Sequence, residues 1–271
     1  MDTQNDTLTH LLTLLKEDKI ESPETCILVM DILMEWGMED SEITRVGFSV
    51  IRKLASNKEN QVSLGERACL MTMDLLEKWW KEDRMVAYNG LRMISNLAIN
   101  EKNRVSLGER ACILAMDIME RWWREDRKVA HNGLAVISNL ALNMVNQEYL
   151  GERACLMVVD ILREYAMLDK ELSYIALITI GNLAKREQNR VFLGIPACRI
   201  CMSILKEWGL GDVLFARRGV KTILYLSHDP TNLESLGIPA CLLLVEIFGK
   251  WGSKNKLLAM QAKHVINSLL S

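Results

Sequence analysis

The residues best equipped for chemistry in this chain are its cysteines, histidines, carboxylates and tryptophans, and their spacing says which chemistry is open to them. Six of the seven cysteines, Cys26, Cys69, Cys112, Cys155, Cys198 and Cys241, stand 43 residues apart. Were each to occupy the same place in a stack of helical units, neighbours would lie about 10 Å apart, the usual interhelix spacing. A disulfide needs Cα atoms within about 7 Å. Cys198 and Cys201 sit one turn apart, but neither a second pair nor a nearby histidine completes a zinc site. All seven are expected to be reduced, buried packing residues. The histidines, His10, His131, His228 and His264, fall in different copies of the sequence and at different helical phases. Neither a phosphate loop, nor a nucleophile elbow, nor a metal-spaced cluster occurs. The expectation is a non-enzymatic protein without metal or cofactor.

The carboxylates and tryptophans follow the same spacing. Asp40, Asp83, Asp126, Asp169, Asp212 and Asn255 recur one per copy, each just before an apolar-periodic stretch, where a short acceptor side chain caps free N–H groups. Trp36, Trp79, Trp122, Tyr165, Trp208 and Trp251 end the preceding helix on or beside its apolar side, which points to interhelix packing. Trp80 and Trp123 appear in two copies only, either broadening the core there or marking a contact surface. Asp74–Lys78 and Asp117–Arg121 have the spacing of helical ion pairs.

Asparagine remains for recognition. Positions equivalent to 85, 89, 92 and 96 lie opposite the apolar side of their helix. They read Met85, Asn89, Arg92, Asn96, then Lys128, Asn132, Ala135, Asn139, then Glu171, Ile175, Ile178, Asn182. An amide both donates and accepts, which suits the main chain of an extended peptide. Towards the C-terminus the stripe changes to Leu214, Arg218, Lys221 and Tyr225, with Arg217 alongside, a basic patch able to meet Asp, Glu or phosphate. The candidate peptide-binding residues are therefore Asn89, Arg92, Asn96, Asn132, Asn139, Asn182, Arg218, Lys221 and Tyr225.

These residues must be positioned by helices. Asn60–Lys102 and Asn103–Val145 are identical at most positions, and the openings at Asn146, Asn189 and Asn232 continue the 43-residue step without insertion. Such a period marks a stacked repeat array. In the copy at Asn60, a short first helix ends at Gly65, a second runs from about Glu66 to Trp80, and a third follows Asp83. Its second helix places Cys69, Thr72, Met73, Leu76 and Trp80 on one side, with Arg67, Asp74 and Lys78 opposite. Gly47, Gly90, Gly133, Ala176, Gly219 and Ala262 form a small-residue column in the third helix; glycine there costs about 1 kcal/mol relative to alanine, so close approach of a neighbouring helix is expected. The expected organisation is a half-unit at 1–16 followed by an all-α solenoid over 17–271, with units at 17–59, 60–102, 103–145, 146–188, 189–231 and 232–271. A net charge of −2 recruits neither nucleic acid nor an anionic membrane. No run of about 18 uncharged apolar residues is present, so no membrane span is expected. The polar N-terminus lacks a secretory pattern, and the cytoplasm is the expected location, with the nucleus open.

Asn-x-x-x-Leu-Gly in the first helix and Ile94-Ser95-Asn96-Leu97-Ala98, Ile137 to Ala141 and Ile180-Gly181-Asn182-Leu183-Ala184 closing the third resemble the armadillo repeat. HEAT repeats stack similarly, but the separate short helix and the closing Asn-Leu-Ala favour armadillo. The resemblance implies a right-handed superhelix whose third helices line a concave groove. It implies an interaction scaffold in which Asn96, Asn139 and Asn182 hydrogen-bond an extended peptide. Lys53, Tyr225 and Ser268 depart from that asparagine. Arg92, Ala135 and Ile178 stand where nuclear-import receptors carry tryptophan, so classical nuclear-signal binding is not expected. The alternative function is a structural array that self-associates or docks through its Trp-rich or terminal surfaces.

Overall fold

The computed structural model describes residues 3–16 and 22–270. They form helices and the turns between them, with no strand among the described residues. Two compact units, Met1–Asn146 and Gln147–Ser271, divide the chain where one copy of the repeat gives way to the next. The first holds α1 (Gln4–Lys16), α2 (Pro23–Trp36), α3 (Ser41–Leu54), α4 (Lys58–Trp79), α5 (Arg84–Leu97), α6 (Glu101–Trp122) and α7 (Arg127–Leu140). Then come α8 (Met144–Tyr165), which starts shortly before the division, α9 (Lys170–Leu183), α10 (Glu187–Ile204), α11 (Val213–Leu226), α12 (Pro230–Trp251) and α13 (Lys256–Leu270). The expected boundary at 16/17 and the start of the first copy, residues 17–21, lie outside the described residues.

Within the first unit α1, α3, α5 and α7 pack side by side, and α2, α4 and α6 form the layer behind them. In the second unit α9, α11 and α13 make one layer and α10 and α12 the other. In the copies from Asn60 onward the first and second helices run together as one hydrogen-bonded helix broken at a glycine, Gly65 in α4 with φ 50° and Gly108 in α6 with φ 48°. A Cβ at either would meet nothing within 4 Å, so backbone conformation alone demands glycine there. The third-helix glycines have the opposite reason. A Cβ on Gly47, Gly90, Gly133 or Gly219 would overlap Leu33, Leu76, Met119 or Leu205 of the helix behind. Close approach of the two layers is what offsets glycine's helical cost.

The cap column starts each third helix as its spacing implies. Asp40 Oδ1 accepts from the backbone N–H groups of Glu42 (2.7 Å) and Ile43 (3.2 Å), and Asn255 Oδ1 from Leu258 (3.0 Å). Each such cap is worth about 1 kcal/mol.

Polar side chains also tie copy to copy, which apolar periodicity does not announce. Asn103 Nδ2 donates to the Gln61 carbonyl at 3.0 Å, Asn146 to Arg104 at 3.1 Å, Asn189 to Gln147 at 3.0 Å and Asn232 to Arg190 at 3.0 Å. The thiols of Cys69, Cys112 and Cys155 point back at the carbonyls of Asn103, Asn146 and Asn189, with Sγ···O at 3.9, 3.9 and 3.8 Å. Trp79 Nε1 donates to Gly37 O (2.7 Å), Trp122 to Trp80 O (3.3 Å) and Trp251 to Gly209 O (2.9 Å). Each tie gives a carbonyl of one copy a donor from a neighbouring copy. Trp208 is the exception. It lies in a π-turn, Leu205–Gly209, and its buried Nε1 has no partner. Its ring faces Phe215 instead, with centroids 6.3 Å apart.

One expectation is corrected. Asp74 pairs not with Lys78 but with Arg110 of the next copy, at 2.6 Å, and the same guanidinium meets Glu77 at 2.6 Å. An arginine reaching across from the neighbouring helix makes a two-carboxylate fork that a lysine one turn away does not. Lys78 Nζ lies instead 5.0 Å from the Trp79 ring centroid, and Arg121 pairs with Glu125 at 2.8 Å while lying over Trp122. α12 has no run of about 18 uncharged apolar residues, in keeping with the expectation, yet it comes near to a span. By length and composition it is apolar enough to cross a membrane, with a mean hydropathy of 1.4, because an average tolerates the isolated Glu234 and Glu246. Gly237 interrupts it, and Leu236, Ala240, Leu243, Leu244 and Ile247 pack inside its unit.

Candidate functional site

The third helices present one face of each layer to the outside, and the expected recognition residues divide on it into three groups. The first group turns inward. Asn89 is only 6% exposed, and its Nδ2 donates to the Arg45 carbonyl of α3 at 3.2 Å. Its neighbour Tyr88 is half-exposed at this turn, while Asn89 is drawn sideways against α3 of the copy before. Asn132, its counterpart on α7, is half-buried, with Nδ2 enclosed and without a partner.

The second group sits half-exposed and does structural work at the same time. Asn96 Nδ2 donates to the Arg52 carbonyl at 3.1 Å. Asn139 Nδ2 donates to the Ser95 carbonyl at 2.9 Å and to the Ser95 hydroxyl at 3.2 Å. Each amide therefore braces its helix against the third helix of the copy before. Fixing the nitrogen side fixes the orientation of the whole planar amide and leaves Oδ1 as the acceptor offered outward. Arg92, one turn before Asn96, is half-exposed; its Nη1 donates to Tyr88 Oη at 3.1 Å, and its guanidinium lies 5.4 Å from the Tyr88 ring centroid.

The third group belongs to the second unit. Asn182, Arg218, Lys221 and Tyr225 are brought together around a shallow depression completed by Ile178, Gly181 and Thr222. Tyr225 occupies the asparagine position, so the brace is made elsewhere: Thr222 Oγ1 donates to the Leu177 carbonyl at 2.8 Å. Gly181 makes room for it, since a Cβ there would stand 2.8 Å from that hydroxyl. Lys221 Nζ lies 5.8 Å from the Tyr225 ring centroid, and the Tyr225 and His228 rings meet edge-on at 6.3 Å. Burial and the charge of Lys221 hold Lys185 below the usual ammonium range. Burial, Arg190 and His264 likewise hold His228 below the usual imidazole value. Sequence reasoning missed Lys185 and Thr222, which lie outside the stripe it followed; Gly181 in a helix interior was the available signal for Thr222.

Burial keeps most of the cysteines in the protonated, weakly nucleophilic form. Burial pushes Cys26 up to about 11 and Cys69, Cys112, Cys155 and Cys198 up to about 12, so they stay thiols. All seven are free and buried. Among the described residues no group of three or more His, Cys, Asp or Glu side chains could hold a metal ion. Trp80 and Trp123 are 9% and 3% exposed, which resolves their two expected roles in favour of core.

Two comparisons give no match: no protein-family model fits the sequence, and no curated protein is similar to it. Solved structures do match. One, from work on a phosphorylation switch controlling the interaction between cadherin and beta-catenin, superposes with a TM-score of 0.82 at 17% identity, over 100% of this chain and 59% of that one. Another is an engineered protein, with a TM-score of 0.71 at 12% identity, over 97% of this chain and 68% of that one. This chain thus spans little more than half the length of the beta-catenin-related match. At such identities the likeness establishes the fold, an all-α armadillo-type solenoid.

Proposed function

We propose that this armadillo-fold chain is a non-enzymatic interaction scaffold that holds an extended segment of a partner protein along the exposed face of its third helices. The observation that carries this reading is the fixed polarity of Asn96 and Asn139. Both spend their nitrogen on a carbonyl of the preceding helix and offer Oδ1 outward, one copy apart. An extended strand has main-chain N–H groups to give to such acceptors, and repeated acceptors on successive helices match a repeated donor. In the second unit Asn182, Arg218, Lys221 and Tyr225 offer a mixed amide, cationic and aromatic surface, suited to an acidic side chain next to an apolar one. Near-neutral net charge argues for a protein partner over a nucleic acid, and the reading places the chain in the cytoplasm or nucleus.

Burial of Trp80 and Trp123 counts against docking through a Trp-rich surface. The test is to obstruct the face without touching its braces. Ala135→Trp puts a bulky ring between Arg92 and Asn139 on the exposed side, while Asp74→Trp puts the same ring on the opposite surface. Partner proteins retained from lysate are expected to be lost with the first and kept with the second. Retention by both variants, with unchanged thermal unfolding, would sink the reading.

A further inference from the structure

The basic patch expected from the sequence lies in the second unit, but the first unit contains a more confined cationic cluster, made by Arg52 on α3 and Arg92 on α5. Arg52 is in the last turn of its helix, and its carbonyl is held at 3.1 Å by Asn96, one turn beyond Arg92. Both side chains leave the adjoining turns of α3 and α5, and the Arg92 guanidinium is near enough for its charge to act on Arg52. Arg92 is steadied by the Tyr88 hydroxyl and stacks on the Tyr88 ring. The Arg52 Nε is buried and has no hydrogen-bond partner. Neither arginine is in an ion pair among the described residues, whereas Arg45, a turn or two away, is taken by Glu42 at 2.7 Å. Burial and the neighbouring Arg92 charge hold the Arg52 guanidinium below its usual range.

Two unpaired guanidiniums with a buried free donor are an unfavourable arrangement in an empty site and a favourable one around an anion. Their N–H groups are planar forks, which match oxyanions bidentately, and the Tyr88 hydroxyl adds one more group able to donate. A single carboxylate would neutralise one of the two charges. A phosphoryl group carries about −1.5 to −2 charge and three acceptor oxygens, enough to occupy both forks. We infer that Arg52, Arg92 and Tyr88 form a phosphate-binding site, and that it receives a phosphorylated serine or threonine of the extended partner held on this face. The site rests on the groove reading above for its source of phosphate, though not for its chemistry. Asn96, adjacent to both arginines, would accept a main-chain N–H of the same segment, so that phosphate and backbone are read together.

The test follows the Arg52 side-chain Nε–Hε resonance of the full chain by NMR at constant ionic strength. Inorganic phosphate replacing chloride is expected to shift it saturably, and Arg92→Gln to weaken that response by about tenfold, the loss of one charge-assisted contact. Arg218→Gln with Lys221→Gln is expected to leave it unchanged. A flexible Gly-Ser peptide bearing one phosphoserine is then expected to displace phosphate about tenfold better than its unphosphorylated twin. No saturable shift with phosphate, or an equal loss from the Arg218 and Lys221 substitutions, overturns the site. A shift with phosphate but equal behaviour of the two peptides overturns the phosphorylated-partner source. The two readings fail separately. If Arg52→Gln/Arg92→Gln still prefers the phosphorylated peptide, this site is wrong and the groove stands. If Ala135→Trp retains every partner while the phosphate response survives, the groove reading is wrong and the anion site stands. Unchanged thermal unfolding of Arg92→Gln, a half-exposed side chain, guards against loss of fold.

Discussion

Each unit builds a third-helix layer of its own, and the two layers are braced by different side chains. In the first, part-exposed amides do the work: Asn96 and Asn139 reach the carbonyls of Arg52 and Ser95. In the second, a buried hydroxyl does it, Thr222 reaching Leu177 through the gap left by Gly181. An amide brace keeps one polar atom pointing outward. A hydroxyl brace hides its polarity, and the outer positions pass to Arg218, Lys221 and Tyr225. The choice of brace thus decides whether the group that ties two copies also faces outward, as Asn96 and Asn139 do, or leaves the outer positions to other side chains.

The largest way to break the comparison is to attack what both units share, the close approach of the two layers. Gly90→Val must displace Leu76 and is expected to destabilise the first unit by about 2–3 kcal/mol, seen as a lower denaturant midpoint. Thr222→Val keeps shape and takes from the Leu177 carbonyl its second donor, an expected loss of about 1 kcal/mol from the second unit with the Arg218 surface intact. Asn139→Leu should cost a similar amount in the first unit but also weaken partner retention, because brace and acceptor are one group there. If Thr222→Val weakened retention equally, brace and surface would not be separable. Smaller still is Arg110→Ala, which removes the fork to Asp74 and Glu77. Since these groups are well exposed, less than about 1 kcal/mol is expected, and 1 M salt should erase most of the difference.

The smallest effect is one of pH. His228 titrates below its ordinary value when folded, because burial, Arg190 and His264 all disfavour its charge. The unfolded chain therefore takes up the proton first as pH falls. Stability is full above the ordinary imidazole pKa and declines from there down to the lower folded value, below which the loss levels off. His228→Gln should flatten that part of the stability profile. An unchanged acid slope in the variant would assign it to other groups.

Much of this was legible in the sequence because the repeat prints each structural role several times. The cap at Asp40, the turn at Gly65 and the crowding at Gly90 each follow from one residue type at one phase of a helix. The site was legible only in part. Asn89 and Asn96 sit at the same nominal phase, seven residues apart. One is buried against Arg45 and the other half-exposed, a difference set by how α5 packs and invisible to an ideal wheel. Arg52 escaped notice because its equivalents are Ser95, Ser138 and Gly181: a reading that seeks columns overlooks a residue that departs from its own. Inter-copy pairs such as Asp74 with Arg110 were equally hidden, because they require knowing which helices adjoin.

The central claim is that the partner lies on the third-helix face, and photocrosslinking addresses it most directly. A benzoylphenylalanine placed at position 92, 135 or 221 should form covalent adducts with the partner, at sites that step along one extended segment of it. The same group at position 74 or 120, on the second helices, should form none. Adducts confined to positions 74 and 120 would contradict the account.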